Sequence, residues 1–465
     1  MSRNDCHHCT EFSRSTLLRR SAAEAGRGLP AIEPGMPLPA GTGLDRRTFL
    51  SRTLGAALTV YGTAAVGPRL FDEAMARAAT GGKAHNTLVT IFAPGGWDAL
   101  SLLYPSGDPQ YRRLRPEIAF KPDEGPPFES DRRLHWHPSL EPFSKLHKEG
   151  KLTVFPAIGY THPDQSHFTS RHYWEVGALD TQLSTGWLGR LLDVIGDDNN
   201  AMQGLSLDSS LLPSLASARV PVATLEDPTS YGFDSQNVWD VPGALLPDAI
   251  GKLGGLSVAA DPFLTKASQT AAESDQLRRQ LSRFIGDDGQ AHYHTKVKYP
   301  DGDFGSKLAG LAALLHAGFP IRAAALQAPG EYDTHSDESG PLAQGLQETA
   351  QALAAFQADL GQRNLGQRVA TLLWSEFGRR AEQNDTNGTD HGAAGAAFLF
   401  GERVRHRMVG EFPGLGGRGL DRDGNLRETV DFRSVYKSLS EEWFGVDGDR
   451  ILPDGKKLPS LSLLS

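Results

Sequence analysis

A chain of 465 residues, 39% hydrophobic and 22% charged, has the composition of a soluble globular protein and room for one large α/β domain or two smaller ones. Its formal net charge of -9 argues against nucleic-acid binding, because phosphate contacts need a basic surface. Its two cysteines, Cys6 and Cys9, both lie near the start, so the rest of the chain has no disulfide and is held by packing or by metal. Cys6-His7-His8-Cys9 has metal-ligand residue types, but without a second pair it is a weak zinc signal.

The first informative segment is Asp45-Arg46-Arg47-Thr48-Phe49-Leu50, which has the form of a twin-arginine export signal. The apolar run from Leu54 to Val66 is too short and too mild for a permanent membrane span. Ala76-Arg77-Ala78 then fits the small-x-small pattern of a cleavage site. The expected organisation is a leader and signal over residues 1–80 and a mature domain over 81–465. That domain is expected in the periplasm or outside the cell, exported folded by the twin-arginine translocase, with no permanent membrane span. Export of folded cargo makes a centre loaded before export more plausible.

The mature chain alternates strands and helices. Thr87 to Phe92 is a continuous apolar, β-rich run and predicts a buried parallel strand, ending in Ala93-Pro94-Gly95-Gly96-Trp97-Asp98. Leu152 to Ala157 predicts a second strand, followed by a loop and a helix from about Ser166 to Gly177. Val220 to Ala223 predicts a minor strand, and residues 262–285 an amphipathic helix. Phe304 to Ala317 has helical spacing. Ile321 to Leu326 predicts a strand running into Glu331-Tyr332-Asp333-Thr334-His335, and Leu342 to Leu360 a long helix. Val369 to Trp374 predicts a strand leading to Ser375-Glu376-Phe377-Gly378-Arg379, Ala397 to Phe400 a later strand, and Val435 to Trp443 a closing helix. The alternation predicts an α/β fold: a mostly parallel central sheet with helices on both faces.

In such sheets, sites form beyond the carboxyl ends of the strands. Those ends carry Asp98; His162, Asp164, Ser166 and His167; Asp333, His335 and Asp337; and Glu376, followed by Asp390 and His391. Carboxylates mixed with imidazoles suit zinc, manganese or iron. Two ions bridged by carboxylates would clamp an anionic ester. Each piece also has a plainer reading: Asp98 and Ser166 are both good helix caps, and Asp333 and His335 fit an ordinary loop. His135 and His137, flanking Trp136, read as structural.

Seven stretches carry a family resemblance. They are Ala93-Pro94-Gly95-Gly96-Trp97-Asp98-Ala99-Leu100-Ser101, Gln165-Ser166-His167-Phe168, Gly186-Trp187-Leu188-Gly189-Arg190, Tyr332-Asp333-Thr334-His335-Ser336-Asp337, Trp374-Ser375-Glu376-Phe377-Gly378-Arg379-Arg380, Gly388-Thr389-Asp390-His391-Gly392 and Asp431-Phe432-Arg433-Ser434-Val435-Tyr436. At these stretches the chain resembles the DUF1501 family of uncharacterised exported bacterial proteins, a distant branch of the alkaline phosphatase and sulfatase fold. The resemblance implies an alkaline phosphatase-like domain over 81–465 and hydrolysis of phosphate or sulfate esters. It also implies one or two divalent ions (zinc, manganese, calcium or magnesium). On it, Asp98, Asp333, His335, Glu376, Asp390 and His391 are the metal candidates. Ser166 stands where the nucleophile opens a helix, His167 is a ligand or general acid, and Arg379 clamps the anionic group. The chain departs from the superfamily where an Asp-His-Gly is usual: it has Glu376-Phe377-Gly378, and Asp390-His391-Gly392 comes 14 positions later. Set against the hydrolase is a non-catalytic binding or scaffold protein on the same fold, or a transferase acting on a sugar or wall polymer.

Overall fold

The computed structural model describes residues 85–197, 200–226, 277, 279–286 and 291–465. The expected leader, export signal and Cys6/Cys9 cluster, and most of the expected helix over 262–285, lie outside them.

The strands are β1 (Thr87–Phe92), β2 (Leu103–Tyr104), β3 (His135–Trp136), β4 (Leu152–Gly159), β5 (Gly204–Ser206), β6 (Ala223–Thr224), β7 (Ala323–Gln327), β8 (Val369–Trp374), β9 (Arg379–Gln383), β10 (Thr389–His391), β11 (Gly395–Phe400) and β12 (Val430–Asp431). The helices are α1 (Ala99–Leu102), α2 (Pro109–Leu114), α3 (Glu141–Lys148), α4 (His167–Val176), α5 (Trp187–Ile195), α6 (Asp303–His316), α7 (Ser339–Gln362) and α8 (Phe432–Ser438), the last running on into a π-helical turn over Leu439–Trp443.

Eight strands form the central sheet in the order β12-β4-β11-β8-β1-β7-β5-β6. All pairings are parallel except those of β11, which runs against β4 and β8. This is the mostly parallel α/β sheet expected from the alternating pattern. β2 and β3 form one small ribbon, and β9 and β10 another.

Alternation along the strands divides the core. Val89 and Ile91 of β1 and Val154 of β4 face a cluster with Phe143 of α3, Leu308 of α6 and Leu353 of α7. Leu88, Phe92 and Phe155 face the other way, against Trp174 of α4, Leu188 of α5 and Val435 of α8. Both faces of the sheet are therefore covered, and each fully buried large apolar side chain contributes roughly 1.5–3 kcal/mol.

The loops at the carboxyl ends of the strands position the site. After β4, the Tyr160 hydroxyl accepts from the Asp164 amide at 3.0 Å, fixing the loop into α4. Ser166 caps α4, accepting from the Thr169 amide at 3.5 Å, and Gly177 closes the helix in the left-handed region at φ 65°. The minor strand expected over Val220 to Ala223 is the two-residue β6, overlapping that stretch only at Ala223. β5 and the β9–β10 hairpin carry no strong strand pattern: β5 has three residues, and β9 reads Arg-Arg-Ala-Glu-Gln. Among the described residues, no helix is long and apolar enough to cross a membrane.

Candidate metal centre

Three loops and one hairpin meet beyond the carboxyl ends of β1, β4, β7 and β8. The loop after β1 passes through Gly95 at φ 110° and Gly96 at φ 68°. A Cβ on Gly95 would stand 2.4 Å from the Asp333 amide nitrogen, and one on Gly96 would run into the Phe377 ring. Glycine is required at both by close approach and by backbone conformation.

The chemistry gathers on one oxygen. Asp333 Oδ1 lies 3.0 Å from His335 Nε2, 3.2 Å from His391 Nε2 and 3.4 Å from His167 Nε2. Each ring is anchored at its other nitrogen. His167 Nδ1 is 2.8 Å from Glu376 Oε1, His335 Nδ1 is 3.1 Å from Asp390 Oδ1, and His391 Nδ1 is 2.8 Å from the Gln165 carbonyl. Carboxylates and carbonyls only accept, so all three Nδ1 atoms donate, and in the neutral rings the Nε2 atoms present lone pairs. With all three rings neutral, three lone pairs and a carboxylate oxygen face one another beside the Arg379 guanidinium, an arrangement that suits a further cation. His167, Asp333 and His391 offer ligand atoms all within 4.8 Å of one another, as a shared ion requires. The separations of 3.0–3.4 Å match the ligand–ligand edge of about 3.3 Å set by zinc bonds of roughly 2.0–2.1 Å in a tetrahedron.

The electrostatics differ from ring to ring: His391 is held neutral, while His167 is held towards its protonated form, whose proton a bound ion would have to displace. Burial opposes the charge on His167, but hydrogen bonds to Asp333 and Glu376 outweigh it and push the imidazole up to about 9. Burial raises Asp333, yet its contacts to His167, His335, His391 and Arg379 hold it far below the usual carboxylate range. His391 is lowered, chiefly by burial, which keeps it neutral as a ligand must be. His167 is buried, whereas the side chains of Asp333 and His335 are 28% and 24% exposed, so the centre opens to solvent on the Asp333 side.

The residues singled out in the sequence divide into two layers. His167, Asp333, His335 and His391 converge. Asp390 and Glu376 stand behind them, each holding one imidazole. Glu376 also accepts from the Gly95 and Gly96 amides at 2.9 and 3.1 Å and lies 2.9 Å from the Ser375 hydroxyl. Asp98 is outside the cluster. It is fully buried, caps α1 through the Leu100 amide at 3.2 Å, and is paired with Arg115 through both guanidinium Nη atoms.

Arg379 departs from the role of anion clamp. Its buried guanidinium donates to the carbonyls of Gly96 at 2.6 Å, Tyr332 at 3.1 Å and Thr389 at 3.0 Å, to that of Gly95, and to Asp333 Oδ1 at 2.5 Å. These bonds tie the β1 loop, the β7 loop and the hairpin together, and Nη1 also stands 3.5 Å from His335 Nε2. Ser166 lies between Gln165, whose carbonyl holds His391, and His167. His162 is exposed at φ 59°, Asp337 is exposed at φ 47°, and Asp164 accepts from the Ser166 amide at 2.8 Å. His137 accepts from the Ser139 amide at 3.0 Å and His135 pairs with Ser106 at 3.1 Å; both are structural here. Sequence reading missed Arg115, which stands between Leu114 and Pro116 at the end of α2, and Gln165, whose contribution is a backbone carbonyl.

Known proteins resemble this chain at a distance. No curated protein matches the sequence. Among solved structures, the chain is similar to a protein in the alkaline phosphatase superfamily from Vibrio parahaemolyticus, at 10% identity and a TM-score of 0.36, covering 88% of this chain and 77% of that one. It is also similar to the C-terminal periplasmic domain of EcEptC from Escherichia coli in complex with Zn, at 10% identity and a TM-score of 0.37, covering 77% and 82%. A third is the PsFucS1 sulfatase from Pseudoalteromonas sp., at 10% identity and a TM-score of 0.32, covering 86% and 74%. Residues 265–453 match the family model described as "Protein of unknown function (DUF1501)", and over that stretch the chain is similar to that family.

Proposed function

We propose that this protein is an exported, metal-dependent hydrolase of phosphate or sulfate esters. The observation that carries the reading is the meeting of three imidazole Nε2 atoms at Asp333 Oδ1, each ring locked by an acceptor at Nδ1. His167, Asp333 and His391 would hold one divalent ion, with His335 beside them; two imidazole nitrogens with a carboxylate oxygen suit zinc or manganese better than calcium or magnesium. When bound, such an ion polarises an ester oxygen and offsets the negative charge that develops there.

The chain's own residues supply the remainder. Glu376, Asp390 and the Gln165 carbonyl orient the three rings. The amino end of α4, ten residues long, directs its first amides and positive dipole end towards an anion at Ser166. Ser166 is the proposed nucleophile. Arg379 fixes Asp333 and the loops around it. Export through the twin-arginine translocase to the periplasm or beyond, with residues 1–80 removed, completes the reading and rests on the sequence signal.

The test is metal analysis of the purified mature protein together with turnover of an aryl phosphate and an aryl sulfate. The expected result is bound zinc or manganese and turnover that is lost on chelation and in Ser166→Ala. Turnover that survives in Ser166→Ala would dismiss that residue as nucleophile. A second reading, a non-catalytic binding protein, is favoured by the 2.5 Å contact that already gives Asp333 a fixed cation. It predicts a folded protein that turns over neither ester at any metal concentration.

A further inference from the structure

Three of the six acids and histidines expected to bind metal stand outside the converging cluster: Asp390 holds His335 from behind, and the way the other two, Asp98 and Glu376, are engaged bears on how many ions the site can take. A carboxylate has about four acceptor directions. Glu376 has polar neighbours at both oxygens. Oε1 accepts from the Gly95 amide at 2.9 Å and His167 Nδ1 at 2.8 Å; Oε2 accepts from the Gly96 amide at 3.1 Å and lies 2.9 Å from the Ser375 hydroxyl, whose one proton it shares with the Ala93 carbonyl at 2.7 Å. The side chain is 2% exposed, so no open direction faces the solvent.

Asp98 is closed off by charge. Its two oxygens are bridged by the guanidinium of Arg115, with one Nη contact at 2.9 Å and a second through the other Nη, and Oδ1 also takes the Leu100 amide. Neither side chain of the pair is exposed. Arg115 is in turn held by the Ala381 and Arg380 carbonyls of β9, each at 2.9 Å. Another buried acid, Glu338, accepts from the Ser101 hydroxyl at 2.9 Å and the Thr389 hydroxyl at 2.7 Å. A second divalent ion here would have to displace a fixed guanidinium from a dry site, leaving it unpaired, which is strongly unfavourable.

We infer that the centre takes a single divalent ion on the His167–Asp333–His391 side, and that Arg115 permanently occupies the cationic role a second, carboxylate-bound ion would play at Asp98. The inference rests on the metal reading above and adds the number of ions and a built-in replacement for one of them. Asp98 and Arg115 are positioning residues: they fix β9, and through it the strand that carries His391.

Ion counting tests this without reference to turnover. The metal-free full mature chain is titrated with zinc and, separately, with manganese by calorimetry, and the loaded protein is analysed for metal after gel filtration. The expected result is one tightly held ion per chain, falling to none in His391→Gln. The double variant Asp98→Asn/Arg115→Met removes both members of the buried pair together, so that neither charge is stranded, and is expected to keep its one ion. Two ions in the unaltered protein, or loss of the ion in a folded double variant, would overturn the single-ion inference while leaving a metal-dependent hydrolase standing. No tightly held ion would overturn the metal reading itself. Should the double variant fail to fold, the count on the unaltered chain decides alone.

Discussion

His335 Nε2 and His391 Nε2 face each other across 3.0 Å, and both rings already donate from Nδ1, to Asp390 and to the Gln165 carbonyl. Two imidazole lone pairs at that separation repel unless a proton or a metal stands between them or beside them. Asp333 Oδ1, within 3.2 Å of both, deepens the demand for positive charge. The remote anchors therefore shape what the exposed face of the site can bind.

Glu376 sets the orientation of His167, so its replacement should weaken metal binding without removing a ligand. In Glu376→Gln, calorimetric titration with zinc is expected to show affinity lower by roughly 10–100-fold at unchanged stoichiometry, the usual effect of losing a partner behind a metal-bound histidine. An unchanged affinity would mean that His167 is not a ligand.

Arg379 binds four backbone carbonyls and Asp333 from within the protein. Arg379→Met would strand those acceptors, and the expected loss is about 3–5 kcal/mol in denaturant unfolding. A surface clamp for substrate would instead show unaltered stability and a raised KM.

Gly95 has no room for a side chain, since a Cβ would stand 2.4 Å from the Asp333 amide. Gly95→Ala should cost on the order of 1–3 kcal/mol from backbone strain at φ 110° and lower metal affinity by displacing Asp333. Thermal melts of the metal-free and metal-loaded forms separate the two effects.

Glu338 gives a pH signature away from the metal ligands. Burial, then the Asp98 charge, push its carboxyl up from 4.5 to about 8, against the pull of Arg115 and the Thr389 hydroxyl. An acid raised by folding costs stability as it ionises more readily in the unfolded chain. Its unfavourable contribution is absent below about pH 4.5, grows through the window up to about pH 8, and then levels off. Metal-free protein should therefore lose stability between pH 5 and pH 8, and Glu338→Gln should flatten that slope, as followed by urea unfolding at each pH.

The sequence carried the sheet well where strands are continuous apolar runs. β1 and β8 have the residues expected, because a strand buried on both faces must be apolar throughout. The direction of β11 was not legible: Gly395-Ala396-Ala397-Phe398 fits either direction, and only its pairing with β4 and β8 decides. The β9–β10 hairpin was missed because Arg379 and Arg380 look like a surface pair, while in the fold Arg379 turns inward to the carbonyls.

At the site, chemistry was legible one residue at a time and partition into layers was not. Asp333, His335 and His391 are polar residues beyond strand ends with no packing reason to be there, and they converge. Asp98 and Glu376 look equally suitable in sequence. What separates them is Arg115, which meets Asp98 through the fold 17 positions later, and the Gly95–Gly96 amides, which meet Glu376 from 280 positions away. Backbone donors and distant guanidinium groups leave no pattern in residue spacing.

The most direct test is X-ray absorption at the metal edge of the zinc- or manganese-loaded protein. A first shell of nitrogen and oxygen with outer-shell scattering from at least two imidazole rings, lost in His391→Gln and His167→Gln, is the predicted result. A shell of oxygens alone, or a spectrum unchanged by those substitutions, would contradict a centre built on His167, Asp333 and His391.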